Sequence, residues 1–303
     1  VKDHPFILKN TEILQFGEAK LNASIEILSF KEFALISNLF NKHLELKSFT
    51  HKQWSILFSL KDDQLLSINC EQLKKNNIII IPPYTHISTV LLGKISQPCR
   101  IAINSTYLKK LTNSKLDLNN KQIKIIYIEN INDIREKMVS IFQKANTLKD
   151  NDTSMNTRNS IKNESKEIVQ KAIKILLDFQ KVTSKMTNQD LFHATSFLRY
   201  LRDEEFNINK ITEHLGINDR TLRYKFMNSL NVSPKRYHTS LRLNEVMKAL
   251  KKGNKKTVIS DIANSWGFWH MGQFAKDYKQ FYGELPSETL KKRDAVHSKY
   301  IRL

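Results

Sequence analysis

The side chains best suited to chemistry in this 303-residue chain are long, polar and grouped at helical spacing. Asn218, Asp219, Arg220, Arg223 and Tyr224 fall in one short stretch, with Arg220 and Arg223 a helical turn apart. A guanidinium is a planar fork of donors that matches the edge of a guanine or a phosphate. His270, Met271, Gln273 and Lys276 form a second group about fifty residues later. There the Gln273 amide suits an adenine edge, Lys276 a guanine or a phosphate, and Met271 a thymine methyl. Lys235, Arg236, Lys279, Lys291, Lys292 and Arg293 are candidates for phosphate contacts, which give affinity and register without reading sequence. The arginines of the first group suit either purpose.

Other chemistries lack their residues. Cys70 and Cys99 are too few and too far apart for a zinc site, no CxxC motif occurs, and both read as reduced, packed thiols. His43, His51 and His86 stand singly, without a metal-ligand spacing. No glycine-rich phosphate loop, nucleophile elbow or carboxylate pair appears. The expectation is a non-enzyme with no metal and no cofactor. No apolar run approaches the roughly 20 residues of a membrane span. The opening VKDHPFILKN lacks the apolar core of a secretion signal, so a cytoplasmic location is expected.

The elements that must position these groups can be read from the apolar residues between them. Leu222 and Phe226 face inward on the helix that carries Arg220 and Arg223, with Asn218 as its N-cap. Phe268, Phe274 and Tyr278 do the same work in the second group, where Gly272 inside the helix costs about 1 kcal/mol relative to alanine. The two stretches are copies of one unit. Ile211 matches Ile262 and Gly216 matches Gly267 at an offset of 51; Leu222 matches Phe274, Phe226 matches Tyr278 and Pro234 matches Pro286 at an offset of 52. A short helix, a glycine turn and a second helix with one polar face make a helix-turn-helix. Between the copies, Ser233 and Pro234 open a helix with the apolar stripe Leu243, Val246, Met247 and Leu250, closed by Gly253. About 18 residues give a rod of roughly 27 Å. Two recognition helices in successive major-groove segments need about 34 Å between them, so such a rod can set their spacing. Trp266 and Trp269, which flank the second turn, read as packing residues.

Both turns, the linking helix, Ser233-Pro234 and the ending from Gly283 to Pro286 resemble the DNA-binding domain of AraC/XylS-family transcription regulators. The resemblance covers about Asp190 to Arg293, over a third of the chain. The WGFWH segment before GQF looks most like the branch that contains the ethanolamine-utilisation activators. The resemblance implies promoter DNA as a partner, contact with RNA polymerase, a small-molecule effector as in many relatives, and a homodimer as one arrangement. Some DNA-repair alkyltransferases carry a similar DNA-binding unit, but they need a zinc-bound cysteine cluster that two isolated cysteines cannot make.

The first third has a different texture. Ser24 to Phe30, Ile78 to Ile81, His86 to Leu92, Arg100 to Ile103 and Lys121 to Ile128 read as short strands, and Trp54, Ile56, Phe58 and Leu60 alternate as in a half-buried strand. A cupin-like sandwich or barrel is the expectation, similar in texture and position to the sensor domains that precede this DNA-binding domain in the family. Ile131, Ile134, Met138, Ile141, Phe142 and Ala145 mark an amphipathic helix. The polar run Leu148 to Ser160 reads as a linker or loop, and Ile168, Ala172, Ile175, Leu176 and Phe179 mark another helix. These helices either dimerise or cover the barrel. Thr187 to Asp203 supplies the first helix of the next domain.

The expected fold is therefore α+β: a β-rich sensor or dimerisation domain over residues 1–147, a linker and connecting helix over 148–186, and an all-α domain of two helix-turn-helix units over 187–303. The net charge of +19 favours a polyanionic partner, but residues 187–303 hold only about half of it, so charge does not locate the partner. A sequence-specific regulator, an architectural DNA-binding protein of low specificity, and a regulator whose first domain only binds protein all fit this reading.

Overall fold

The structure is a computed structural model that describes residues 6, 9–16, 21–60, 66–74, 76–92, 95–113, 122–147, 155–179, 189–202, 204–254, 256–291 and 298–302. Lys292 and Arg293 lie outside the described residues, as do 148–154.

The first part is a β-sandwich. Its strands are β1 (Lys9–Gln15), β2 (Ala23–Ser29), β3 (Phe33–Phe40), β4 (Leu44–Phe49), β5 (Gln53–Ser59), β6 (Leu66–Ile68), β7 (Glu71–Gln72), β8 (Asn77–Ile81), β9 (His86–Leu91), β10 (Pro98–Asn104) and, after the short helix α1 (Ser105–Leu111), β11 (Lys124–Tyr127). One sheet runs β1-β4-β9-β6-β7. The other runs β11-β8-β5-β10-β3-β2 and is extended by a parallel strand near the end of the chain, β12 (Ser298–Arg302). All other pairings are antiparallel. Leu44, Leu57, Ile79, Ile81, Ile87 and Leu91 fill the space between the sheets.

Two helices cover the outer face of the larger sheet. α2 (Asn132–Thr147) buries Ile134, Met138, Ile141, Phe142 and Ala145, as its 3.6-residue stripe predicts. α3 (Met155–Asp178) buries Ile161, Ile168, Val169, Ala172, Ile173 and Leu176 in the same core, together with Trp54, Ile56, Phe58, Ile101 and Ile103. These apolar stripes are spent on the sheet, which answers the choice between dimerising and covering it.

Two sequence expectations are corrected here. β5 is buried on both faces rather than half-buried. α2 and α3 cover its Trp54, Ile56 and Phe58 side, and the opposite sheet covers the Gln53, Ser55 and Leu57 side that alternation alone left to solvent. Residues 155–160 form the first turns of α3 rather than a loop. Ile161 anchors them, Ser160 Oγ donates to Glu164 Oε1 at 2.7 Å, and that local packing outweighs their poor propensity.

The second part is all helix: α4 (Gln189–Tyr200), α5 (Ile208–Leu215), α6 (Asp219–Leu230), α7 (Pro234–Lys252), α8 (Ile259–Ser265), α9 (Met271–Tyr282) and α10 (Pro286–Lys291). Leu198, Ile211, Leu222, Phe226, Leu230 and Leu241 share one core, and Leu243, Val246, Leu250, Ala263, Phe274, Tyr278 and Phe281 share another. α7 contributes to both. Among the described residues, no helix is long and apolar enough to cross a membrane.

Candidate nucleic-acid interface

The first unit is α5, a turn and α6. Asn207 caps α5 by accepting from the backbone of Asn209 and Lys210, and Gly216 ends it at φ +64°. The left-handed conformation there suits glycine, which has no Cβ to clash with the backbone. Asn218 then caps α6, its Oδ1 accepting from Thr221 N at 2.8 Å, as its sequence position predicts. With Leu222 and Phe226 turned into the core, Asp219, Arg220, Arg223 and Tyr224 lie on the exposed face, and the Tyr224 side chain is 69% exposed. Arg223 is held over Asp219, with Nε to Oδ1 at 2.6 Å and Nη2 to Oδ2 at 3.1 Å. An exposed pair of this spacing is worth only about 0.3–0.5 kcal/mol, so a phosphate or a guanine edge can compete for the arginine.

The second unit is α8, a turn and α9. Gly267 adopts φ +72°, the counterpart of Gly216. Gln273, Lys276 and Lys279 are exposed on one face of α9, and Gln273 Nε2 donates to Asp277 Oδ1 at 2.7 Å. His270 stands at the N-cap, exposed and without a side-chain capping bond. Met271 is half-buried against the unit's core, so its candidate thymine contact competes with packing.

Three local expectations change. Phe268 belongs to the turn, not to the helix, and packs its ring 5.3 Å from that of Phe274. Gly272 lies in the first turn of α9 with nothing near an added Cβ, so it is not an interior helix glycine. Trp266 packs against the core of the second unit, but Trp269, beside His270, is 71% exposed.

α7 joins the units. Ser233 Oγ accepts from Arg236 N at 3.2 Å, Pro234 occupies the first helical position, and 19 residues give a rod of about 28 Å. Arg242, which the sequence reading missed, locks the second unit to this rod. Its Nε donates to the Trp266 carbonyl at 2.5 Å, and its guanidinium carbon lies 4.8 Å from the Phe268 ring centroid. No periodicity marks Arg242, because its partners are brought to it only by the turn of a separate unit.

Lys235 and Lys291 are exposed at the starts and ends of their helices. Arg236 is engaged by the first domain: Nε and Nη2 donate to the Phe16 carbonyl at 3.2 and 3.0 Å, and the guanidinium lies over the Phe281 ring. Around it is a buried polar contact that sequence reasoning did not find. Glu45 on β4 is 3% exposed. Its carboxylate accepts from Arg199 Nη2 at 2.6 Å, Tyr237 OH at 2.9 Å and Ser88 Oγ at 2.5 Å. Arg199 also reaches Glu12 at 3.3 Å, and Lys248 pairs with Glu12 as well. Burial by itself pushes the Glu45 carboxyl up, but the Arg199 and Lys47 charges and the two hydroxyl bonds together hold it below the usual carboxylate value. Residues from strands and from helices 150 or more positions later meet here, which is why no short motif signals the cluster.

A family model described as a helix-turn-helix domain matches residues 211–292, which span both units. The chain is 31% identical over 99 residues to the probable thc operon regulatory protein of Rhodococcus erythropolis, covering 32% of this chain and 30% of that protein. It is 26% identical over 107 residues to XylDLEGF operon transcriptional activator 1 of Pseudomonas putida, covering 35% and 32%. The crystal structure of a probable AraC family transcriptional regulator from Rhodopseudomonas palustris is 30% identical, covering 34% of this chain and 96% of that one, with a TM-score of 0.33. Residues 211–292 thus form a helix-turn-helix domain similar to those of AraC/XylS-family regulators. The chain spans about a third of the length of the curated relatives it matches. In this domain the Gly216 and Gly267 turns, the capped helix α6 and the rod α7 stand where the sequence repeat places them.

Proposed function

We propose that the chain is a sequence-specific transcription activator that lays α6 and α9 in successive major-groove segments. The observation that carries this reading is the pair of exposed polar helix faces borne on one capped rod of about 28 Å, near the repeat of a DNA turn. Arg220, Arg223, Gln273 and Lys276 read base edges, with Tyr224 and His270 beside them. Lys235, Lys279, Lys291, Lys292 and Arg293 hold phosphates. The N-terminal sandwich senses a small molecule and transmits its state through the buried Glu45–Arg199–Tyr237 contact to the first unit. RNA polymerase is the protein partner, the chain works in the cytoplasm, and a homodimer would use a surface other than the buried stripes of α2 and α3. No catalytic step is involved.

Selection of bound sequences from a random DNA pool at near-physiological salt tests this reading. Two short blocks about one helical turn apart are expected, with a preference of 10³-fold or more over random DNA. Arg223→Ala and Gln273→Ala should each relax one position by about 1–3 kcal/mol, whereas Lys292→Ala should weaken all sequences equally and lower the salt slope. A pool without any motif, bound with undiminished affinity, would move the chain to the architectural class.

A further inference from the structure

We propose that Trp269 is a base-reading residue that packs its indole on the methyl group of a thymine at the edge of the segment read by α9. The inference rests on the DNA-binding reading above and adds a contact that stands outside both recognition helices.

The two turns differ in length by one residue. In the first unit Gly216 is followed by Ile217 and then by Asn218, the N-cap of α6. In the second, Gly267 is followed by Phe268, Trp269 and then His270, the N-cap of α9. Ile217 and Phe268 do the same work, each partly buried against the core of its own unit. Trp269 is therefore the inserted residue, the one at which the offset between the copies passes from 51 to 52. An insertion that filled a gap in the unit would be buried. Trp269 is 71% exposed, while Trp54 is 4% exposed and Trp266 packs against the second core.

A tryptophan left largely in water forgoes hydrophobic free energy that a partner surface would supply. Its position says which partner. It directly precedes the helix that exposes Gln273, Lys276 and Lys279 on one face, and it adjoins the exposed His270. The N-terminal residues of a recognition helix are the ones that reach base edges. Gly272, in the first turn of α9, has nothing within 4 Å of an added Cβ, which leaves this end of the helix open to a close-lying duplex. An indole offers an apolar face and a single N–H donor, with no acceptor. The apolar group on the major-groove edges of the base pairs is the C5-methyl of thymine. Trp269 thus recognises thymine by contact, beside the hydrogen bonds that Gln273 and Lys276 make.

The test uses the full chain, a duplex recovered from the random-pool selection, and the same duplex with deoxyuridine replacing single thymidines, a change that removes only the methyl. At one thymine on the edge of one block the change should weaken binding about fourfold, the worth of one buried methyl group. Trp269→Ala should bind the unmodified duplex weaker by about fourfold or more, and lose nothing further with deoxyuridine at that thymine. Selection with this variant should leave that position unfixed. Its urea midpoint should equal the parent's, since an exposed side chain adds little stability. The proposal is overturned if no edge thymine responds to deoxyuridine, or if parent and Trp269→Ala respond equally. A lowered urea midpoint would overturn it too, by making Trp269 a packing residue. In each of these cases a selected motif of two blocks keeps the DNA-binding reading intact, whereas a pool without any motif removes both.

Discussion

The two helix-turn-helix units are copies in sequence but not in how they are held. Gly216 and Gly267 adopt the same left-handed turn, and Leu222 and Phe226 occupy the places of Phe274 and Tyr278. Yet the first unit shares its core with Leu14, Phe16, Cys70 and Val90 of the sandwich, while the second closes a core of its own on α7. The core around the first unit is fastened by a buried ion cluster on α4 and α7. The second unit is clamped to α7 by Arg242 and touches the sandwich through Gln15 Nε2, which donates to the Phe281 carbonyl at 2.7 Å. A repeated pattern thus defines the internal fold of each unit, and residues outside the repeat decide what each is coupled to. The first unit is placed to feel the state of the sandwich. The second depends on the rod.

Breaking the ion cluster should have a large effect. Glu45→Ala removes the closest partner of the buried Arg199, leaving it the 3.3 Å contact to Glu12, and should cost about 3 kcal/mol, read by urea unfolding, while the second unit keeps its fold. Acid should act at the same junction between the sandwich and the helices, through His43 beside Phe16 as well as through the carboxylates. Burial, with the Arg236 charge nearby, depresses the His43 pKa to about 4 from 6.5, so the unfolded chain takes a proton that the folded chain refuses. Stability should fall as pH drops from about 6.5 to about 4. It should fall again below 4.5, where Glu45 and Glu12, both depressed when folded, lose the stability they contribute at higher pH. His43→Gln should remove the first step and keep the second. A flat profile between 6.5 and 4 in the parent chain would sink this account of His43.

Phe274→Ala should cost about 3–5 kcal/mol in the second unit, with the transition of the first unit unmoved. If both units melt together, the separate-core comparison is wrong. The two glycines separate the units more finely. Gly216→Ala should cost about 1–2 kcal/mol, the penalty of a left-handed alanine, since nothing lies within 4 Å of the added methyl. Gly267→Ala should cost clearly more and disturb DNA spacing, because its methyl would lie 1.9 Å from Arg242 Nη2. Equal midpoints for the two variants would deny Arg242 its clamping role. The smallest effect concerns the caps. Asn218→Ala should lose about 1 kcal/mol, whereas His270→Asn should gain about 0.5–1 kcal/mol by supplying the cap that α9 lacks.

Much of this was legible in the chain. Gly216, Gly267, Asn218, Ser233 and Pro234 act through local backbone geometry, so their positions disclose both turns and the rod. The stripes of α2 and of the later part of α3 are equally local. Other features were not legible for stated reasons. β5 alternates like a surface strand, and only the sheet packed on its more polar side, opposite the covering helices, reveals two buried faces. Trp269 has the composition of a core residue and the placement of an exposed one.

By itself, then, the sequence determined the double helix-turn-helix, its candidate reading faces and the β-rich character of the first domain, because periodicity, caps and turns are short-range. Tertiary structure alone decided that Glu45 meets Arg199 and Tyr237 and that Arg242 grips the second turn. Those pairings join residues tens to hundreds of positions apart. Their energies come from burial and charge, which no local pattern encodes.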